Sequence, residues 1–450
     1  MASRATDKRA DFAAKIDPLF TQIEQSNWPG AAVLVARDGA IVFDKGYGFA
    51  QVESRVPMTT DTRFRIGSIT KQFTSAGILK LAEEGKLSID DQLSHFIPDW
   101  PRGDEVTLRH LLTHSSGIHN YTAKPGFYEH VTEPISLADL VASFKNNPYD
   151  FNPGEKYSYC NSGYVLLGYI IEKVSGQSYE SFLKTTFFDP LGMKHTGVYH
   201  AGTSPVGEAF GYSYTNGAVQ RAVNWDMSKV ATAGELYSTA HDLYLWNEAL
   251  FNHRVLSDGS LKEAFTVGAL KNDDPTHPEV IGYGLGWTMD RLNGAREVGH
   301  GGELWGFGSY LLRLPDYRLT VVVLLNCAPP LPNNQQWVMA HEIARRVMGP
   351  ELPNDATSRI FNIAPADLAV TVGKYDLGGG TVMTVTTETN HLFAQITGRP
   401  QFEMFPKSDR NFFVAGGNAE ATFVRNAKNE VVKAILMQGG DRIDAPRLTH

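Results

Sequence analysis

The strongest constraint on this chain is where its strand-like runs fall. Residues 31–50, AAVLVARDGAIVFDKGYGFA, hold two apolar runs joined at Asp38-Gly39, a pairing that favours the tight turn of a β-hairpin. From residue 283 strands return as YGLGWTMDR, AREVGHGGEL, GFGSYLLRLPDY and RLTVVVLLNC, with Pro315-Asp316 marking a turn between the last two. Between about 86 and 235 the pattern is helical and loop-rich. Two distant sets of strands are both satisfied by one antiparallel sheet with helices on its faces. The layout predicts an α+β domain over residues 7–350, with a helical subdomain at about 86–235. Helical spacing over 7–26 and 334–348 adds a helix near each end of that domain. A polar, Pro-containing linker follows at 349–358. Short alternating strands then fill 359–450, the pattern of a small antiparallel β-barrel or sandwich forming a second domain.

Composition narrows the function classes. The chain has 450 residues, 42% hydrophobic and 20% charged, enough for a substantial core. Its net charge is −8, from 41 basic and 49 acidic residues, and no basic stripe is present, which argues against nucleic acid as a partner. The longest apolar run, LTVVVLLNCA at 319–328, is strand-sized and too short for a membrane span. The first residues, MASRATDKRADFAAKIDPLF, contain no apolar signal core. The expected location is periplasmic or secreted if an export signal has been removed, and otherwise cytoplasmic. Two cysteines, Cys160 and Cys327, rule out a disulfide framework.

The stretch FRIGSITKQFTSAGILKLAEEG at 64–85 places Ser68 and Lys71 three residues apart at a helix start. At that spacing the two side chains meet. The helix N-terminus favours a developing negative charge. A serine hydroxyl becomes a useful nucleophile when a neighbouring base takes its proton. Lysine serves as that base only when burial or nearby positive charge lowers its pKa well below about 10.4. Alone, the pair reads as a helix cap beside a solvated lysine.

Two further stretches carry suitable chemistry. Tyr159-Cys-Asn161 precedes a helix running through NSGYVLLGYIIEKVSG. A phenol there can move protons, and an amide can hold a substrate carbonyl. His300-Gly301-Gly302 falls on a predicted strand, where glycines mark close approach of a ligand or another backbone.

In this order, Ser68-Ile-Thr-Lys71, Tyr159-Cys-Asn161 and His300-Gly-Gly302 resemble the motifs of serine hydrolases of the penicillin-binding-protein and class C beta-lactamase type. LSIDDQL, LRHLLTHSSGI and YCNSGYVLLGYIIEKVSG extend the resemblance over roughly residues 15 to 350. The resemblance implies a beta-lactamase/transpeptidase-like fold, with Ser68 acylated, Lys71 helping to deprotonate it, and Tyr159 acting as base and then acid. Asn161, His300, Gly301 and Gly302 would bind substrate. The backbone N–H groups of Ser68 and Glu303 would form the oxyanion hole. Penicillin-recognising members begin the third motif with lysine, and here His300 stands in its place. Histidine there is similar to esterase and D-aminopeptidase-like members. The expected substrate is therefore an ester or a D-residue peptide or amide, a small molecule or short peptide, with at most weak beta-lactamase activity. The trailing domain resembles the lipocalin-like domains of peptidase-type relatives, some of which assemble into homo-oligomers.

Two alternatives remain open: an acyltransferase using the same nucleophile, and a retired binding or regulatory protein. His110-Leu-Leu-Thr-His114 puts two histidines at i, i+4 without the glutamate of a zinc-protease helix and reads as structural. No Gly-x-Ser-x-Gly elbow, phosphate loop or dinucleotide fingerprint is present. Neither a metal nor a cofactor is expected.

Overall fold

A computed structural model describes residues 11–25, 28–124, 126–202, 206–215, 218–268, 282–328, 335–353, 368–388, 391–397, 401–406, 410–414, 419–426, 428–438 and 441–448. The chain divides into two compact units, Met1–Pro353 and Asn354–His450.

The first unit is built on one antiparallel sheet of seven strands among the described residues. They are β1 (Ala31–Arg37), β2 (Ala40–Tyr47), β3 (Gly282–Tyr283), β4 (Thr288–Leu292), β5 (Ala295–Leu304), β6 (Phe307–Leu314) and β7 (Leu319–Leu325). Their spatial order is β3-β4-β5-β6-β7-β1-β2, so the two ends of the unit meet where β1 pairs with β7, Ala31 opposite Leu325. The turn at Asp38-Gly39 uses the left-handed region at both residues, φ 54° and 75°, as the hairpin reading requires.

Both faces of this sheet are covered, which explains why β1 is apolar at every position to Ala36. Ala32, Leu34 and Ala36 enter one core with Phe73, Trp246 and the middle of the chain. Ala31, Val33 and Val35 enter a second core with Ile343, Ala344 and Val347. The second core is capped by the helix Gln336–Met348. At the other end of the unit, residues 11–16 are helical and break into a 3₁₀ turn at Asp17–Phe20 around Pro18. Proline removes a backbone donor and interrupts the expected continuous helix.

The middle of the chain carries helices including Leu108–Leu112, Leu137–Phe144 and Asn161–Ser175. We label three helices that frame the site: α1 (Thr70–Glu83), α2 (Asn161–Ser175) and α3 (Ala240–Phe251). Gly176, at φ 70°, closes α2. α1 is buried on nearly all sides, with Phe73 stacked on Trp246 of α3 at 4.1 Å. An aromatic side chain buried this way contributes about 1.5–3 kcal/mol. The polar residues of α1 face protein rather than water. Thr70 accepts from Leu236 N–H at 3.2 Å, Gln72 accepts from Trp246 Nε1 at 3.0 Å, and Ser75 donates to the Leu285 carbonyl. These bonds fix α1 in rotation and height.

Among the described residues the second unit contains eight antiparallel strands in sequence order, Gly373–Gly378 through Asp441–Pro446. Alternate residues such as Tyr375, Met383, Val385, Ala394 and Phe423 form its core. The ends of this sheet approach through one bridge, Tyr375 to Arg447, and a bond from Leu448 N–H to the Lys374 carbonyl at 2.8 Å. Among the described residues no regular strand pair closes it, so the expected closed barrel is not established. Among the described residues no helix is long and apolar enough to cross a membrane.

Candidate active site

Ser68 lies in a 3₁₀ turn, Gly67–Ile69, immediately before α1. The turn follows the short strand Phe64–Arg65, which pairs with Leu236–Ser238. Its far side presses against β5. Gly67 has φ 51°, and a Cβ there would stand 2.9 Å from the Glu303 nitrogen. On the opposing strand, a Cβ on Gly302 would stand 2.0 Å from the Ile66 carbonyl oxygen and 2.9 Å from the Ser68 nitrogen. Glycine at both positions therefore lets turn and strand approach until the Ser68 and Glu303 amides are neighbours. Ser309 secures the contact by donating to the Ile66 carbonyl at 2.8 Å.

Lys71, in the first turn of α1, is fully buried. Its Nζ lies 3.0 Å from Ser68 Oγ, 2.8 Å from Asn161 Oδ1 and 2.8 Å from the Ala233 carbonyl. Burial holds its pKa well below 10.5, with the nearby Cys160 thiol opposing weakly. The rings of Tyr159 and Tyr164 lie 4.8 and 5.5 Å from Nζ. Such contacts favour the cation by about 0.5–2 kcal/mol, and desolvation outweighs them. The hydrogen-bond count suits a neutral amine. Asn161 Oδ1 and the Ala233 carbonyl can only accept, which uses two N–H donors. The lone pair is then left facing the Ser68 hydroxyl.

Asn161 is the first residue of α2, with Cys160 as the N-cap and no capping side chain. Its amide is oriented by a chain of bonds. Nδ2 donates to Thr122 Oγ1 at 3.1 Å, and Thr122 donates to Asn120 Oδ1 at 3.0 Å. Asn120 Oδ1 also accepts from Asn161 N–H at 3.2 Å. This fixes Oδ1 toward Lys71 and leaves the second Nδ2 hydrogen available to a substrate.

Tyr159 is half-buried beside this pair. Burial pushes its phenol pKa up, and a hydrogen bond with Ser68 pulls it the other way without reversing the direction. The resting site thus pairs an amine biased to be neutral with a phenol biased to keep its proton. Groups whose environments push their pKa values apart mark base and acid.

His300 is buried on β5. Its Nδ1 donates to the Gly301 carbonyl at 2.5 Å, so Nε2 is the acceptor of the Tyr283 hydroxyl at 2.8 Å. Burial, with Lys71 close by, holds its pKa down at about 3. Both ring nitrogens are engaged and the ring is neutral, so His300 offers no cation to a substrate carboxylate.

The structure brings Ser68, Lys71, Tyr159, Asn161, Gly302 and the Glu303 amide together, with the His300 ring 6.4 Å from that of Tyr159. Sequence reasoning missed the Ala233 carbonyl, presented by a loop in which Thr232 has φ 56°, and the Asn120–Thr122 relay. It also set His114 aside with His110. Helix Leu108–Leu112 ends before His114, whose φ is 57°, so the two histidines do not share a helical face. His110 instead completes the capping box with Thr107. His114 packs 4.3 Å from the Tyr159 ring. Both cysteines are buried and not joined in a disulfide, and the described residues contain no cluster fit for a metal.

Residues 13–345 match the family model named Beta-lactamase, and residues 363–444 match a domain of unknown function (DUF3471). The chain is 30% identical over 453 aligned positions to penicillin-binding protein 4* of Bacillus subtilis (strain 168), covering 96% of this chain and 98% of that protein. It resembles the octameric penicillin-binding protein homologue from Pyrococcus abyssi at a TM-score of 0.69 and 27% identity, over 97% of this chain and 99% of that one. The D-amino acid amidase from Ochrobactrum anthropi SV3, in complex with L-phenylalanine amide, matches at a TM-score of 0.65 and 25% identity, over 76% of this chain and 98% of that one.

Proposed function

The chain belongs to the Beta-lactamase family and has the penicillin-binding-like serine hydrolase fold, and from that premise we propose that it cleaves an ester or an amide of a D-amino acid through an acyl-enzyme on Ser68. The observation that carries this is the buried Lys71 amine, held 3.0 Å from Ser68 Oγ by two obligate acceptors.

The steps follow from that geometry. The Lys71 lone pair takes the Ser68 proton as Oγ attacks the substrate carbonyl carbon. The carbonyl oxygen gains negative charge between the Ser68 and Glu303 amides, at the positive end of α1. One such donor is worth about 2.7–4 kcal/mol in other enzymes. Asn161 Nδ2 holds the acyl side of the substrate. As the carbon–leaving-group bond breaks, Tyr159 gives its proton to the departing nitrogen or oxygen, and the proton on Lys71 restores the phenol. Water then attacks the ester on Ser68 by the reverse proton path and releases the acid.

The substrate class rests on His300. A neutral ring with both nitrogens occupied cannot hold the carboxylate of a beta-lactam or of a peptide C-terminus as a lysine would. That favours uncharged amides and esters, and the likeness to a D-amino acid amidase supports the same choice. We read the second unit as lipocalin-like, and the octameric Pyrococcus homologue supports a homo-oligomer here.

The test is a panel on one purified sample: D- and L-phenylalanine amide, short-chain p-nitrophenyl esters and a chromogenic cephalosporin, each with and without an added alcohol or amine. The reading predicts ester or D-amide turnover well above cephalosporin turnover, with the free acid as main product. Fast cephalosporin turnover that survives His300→Ala would overturn the substrate assignment. A product dominated by the added nucleophile would make the protein an acyltransferase. Absence of turnover with no Ser68 adduct would make it a binding protein.

A further inference from the structure

We propose that His114 is a positioning residue for Tyr159, holding the phenol where it protonates the leaving group. The inference rests on the acid role given to Tyr159 above.

Three observations meet at this residue. His114 grips the chain on both sides of Tyr159: its carbonyl accepts from Ser158 N–H at 2.9 Å, and its Nδ1 accepts from Cys160 N–H at 3.0 Å. The gripped segment is extended, with Cys160 at φ −139° and ψ 112°. Second, the imidazole lies against the Tyr159 ring, centroids 4.3 Å apart, and is backed by Tyr164 at 5.0 Å and Tyr283 at 4.6 Å. Third, the residue occupies this place at a cost. Its φ of 57° is uncommon for a residue with a side chain. It is 1% exposed, and because Nδ1 accepts, the ring proton sits on Nε2, which finds no hydrogen-bond partner among the described residues. A residue needed only for packing would not leave a buried N–H unpaired. One needed for its Nδ1 acceptor would.

Ser68 and Lys71 are carried by the 67–69 turn and α1, and Asn161, which follows the gripped segment and bonds Lys71, is anchored separately by Asn120 and Thr122. Loosening His114 should therefore disturb the acid while leaving the nucleophile and base in place. The deficit should then follow the leaving group's need for a proton. Methoxide requires protonation as it departs, whereas p-nitrophenolate leaves as the anion.

The experiment compares kcat and KM for a methyl ester and a p-nitrophenyl ester of the same acyl group, with melting temperatures recorded in parallel. His114→Phe keeps the ring and removes the acceptor. His114→Gly removes the ring and fits the left-handed backbone, covering a fold failure of the first. His114→Asn restores a carbonyl acceptor and tolerates positive φ. We expect His114→Phe or His114→Gly to lower kcat/KM, which reports acylation alone, by about 10²-fold or more for the methyl ester. For the p-nitrophenyl ester kcat/KM should fall less than about 10-fold, whatever happens to the deacylation step that both esters share. His114→Asn should recover most of the loss. Equal losses on both esters in a folded variant, or no recovery with asparagine, would overturn the proposal. Tyr159→Phe is the control. If it is selective for the methyl ester and the His114 variants are not, the positioning role alone fails. If it slows both esters equally, the acid role of Tyr159 fails and the inference falls with it.

Discussion

Replacing Lys71 by methionine separates the two protonation states open to its amine. In the unfolded chain lysine stays charged up to about pH 10.4. In the folded protein burial holds the pKa well below that. Between the two values the unfolded state binds one more proton than the folded state, so stability rises with pH. The slope is 2.303RT per proton, about 1.4 kcal/mol per pH unit. The contribution is complete above the unfolded pKa and is lost as pH falls toward the folded one. The methionine variant lacks it. Wild type should therefore gain up to about 3 kcal/mol on Lys71→Met between pH 7 and 9, if the folded pKa lies below that window. Groups titrating in both proteins cancel in the difference. The absolute offset does not vary with pH and drops out of the comparison of slopes: Asn161 Oδ1 and the Ala233 carbonyl each lose a partner, at about 1–3 kcal/mol apiece, while the variant escapes the desolvation of the amine. The assay is urea unfolding followed by tryptophan fluorescence. All seven tryptophans lie between positions 28 and 337, so the signal reports the first unit alone. Turnover should fall by about 10²–10⁴-fold, the usual worth of a general base. Parallel stability–pH curves for the two proteins would refute the reasoning, because Lys71 would then be charged in the folded state and unable to take the Ser68 proton.

Gly302→Ala should lower kcat by at least about 10²-fold with the fold retained, since its Cβ would meet the Ile66 carbonyl and the Ser68 amide and displace one oxyanion donor; kinetics within a few-fold of wild type would place the oxyanion elsewhere. Glu235 is buried beside the Lys71-binding loop, accepts from Thr232 N–H at 2.7 Å, and is pushed up to about 8 by burial. Its folded pKa exceeds the unfolded one, so its contribution is complete below about pH 4.5 and is lost as pH rises toward 8, at up to about 1.4 kcal/mol per unit. Glu235→Gln keeps the acceptor and cannot ionise, so its advantage in melting temperature over wild type should widen from pH 5 to pH 8; a constant gap would mean that Glu235 ionises freely in the folded state.

The strands were legible because their cause is local. β1 and β7 are apolar at nearly every position, which fits a sheet covered on both faces, and Asp38-Gly39 dictates a hairpin. Ser68 and Lys71 were legible by spacing. The burial that gives Lys71 its chemistry was not, because it depends on Asn161 and Ala233, which lie 90 and 162 positions away. The buried setting of the polar residues Gln72 and Ser75 is equally hidden from a local reading, since their partners on α3 and at Leu285 are remote in sequence. His114 looked like half of an i, i+4 pair because sequence does not reveal that the helix stops at Leu112. In the second unit, alternation specifies strands and says nothing of whether the first and last are zipped together.

The proposed acylation of Ser68 requires Lys71 to take its proton. The most direct measurement is mass spectrometry of the protein quenched during turnover of a slowly deacylated ester, with a fluorophosphonate as a second probe. The account predicts a single adduct on the peptide containing Ser68, absent in Ser68→Ala and formed at least about 10²-fold more slowly in Lys71→Met. Wild-type turnover without that adduct, or labelling of Lys71→Met at the wild-type rate, would contradict it.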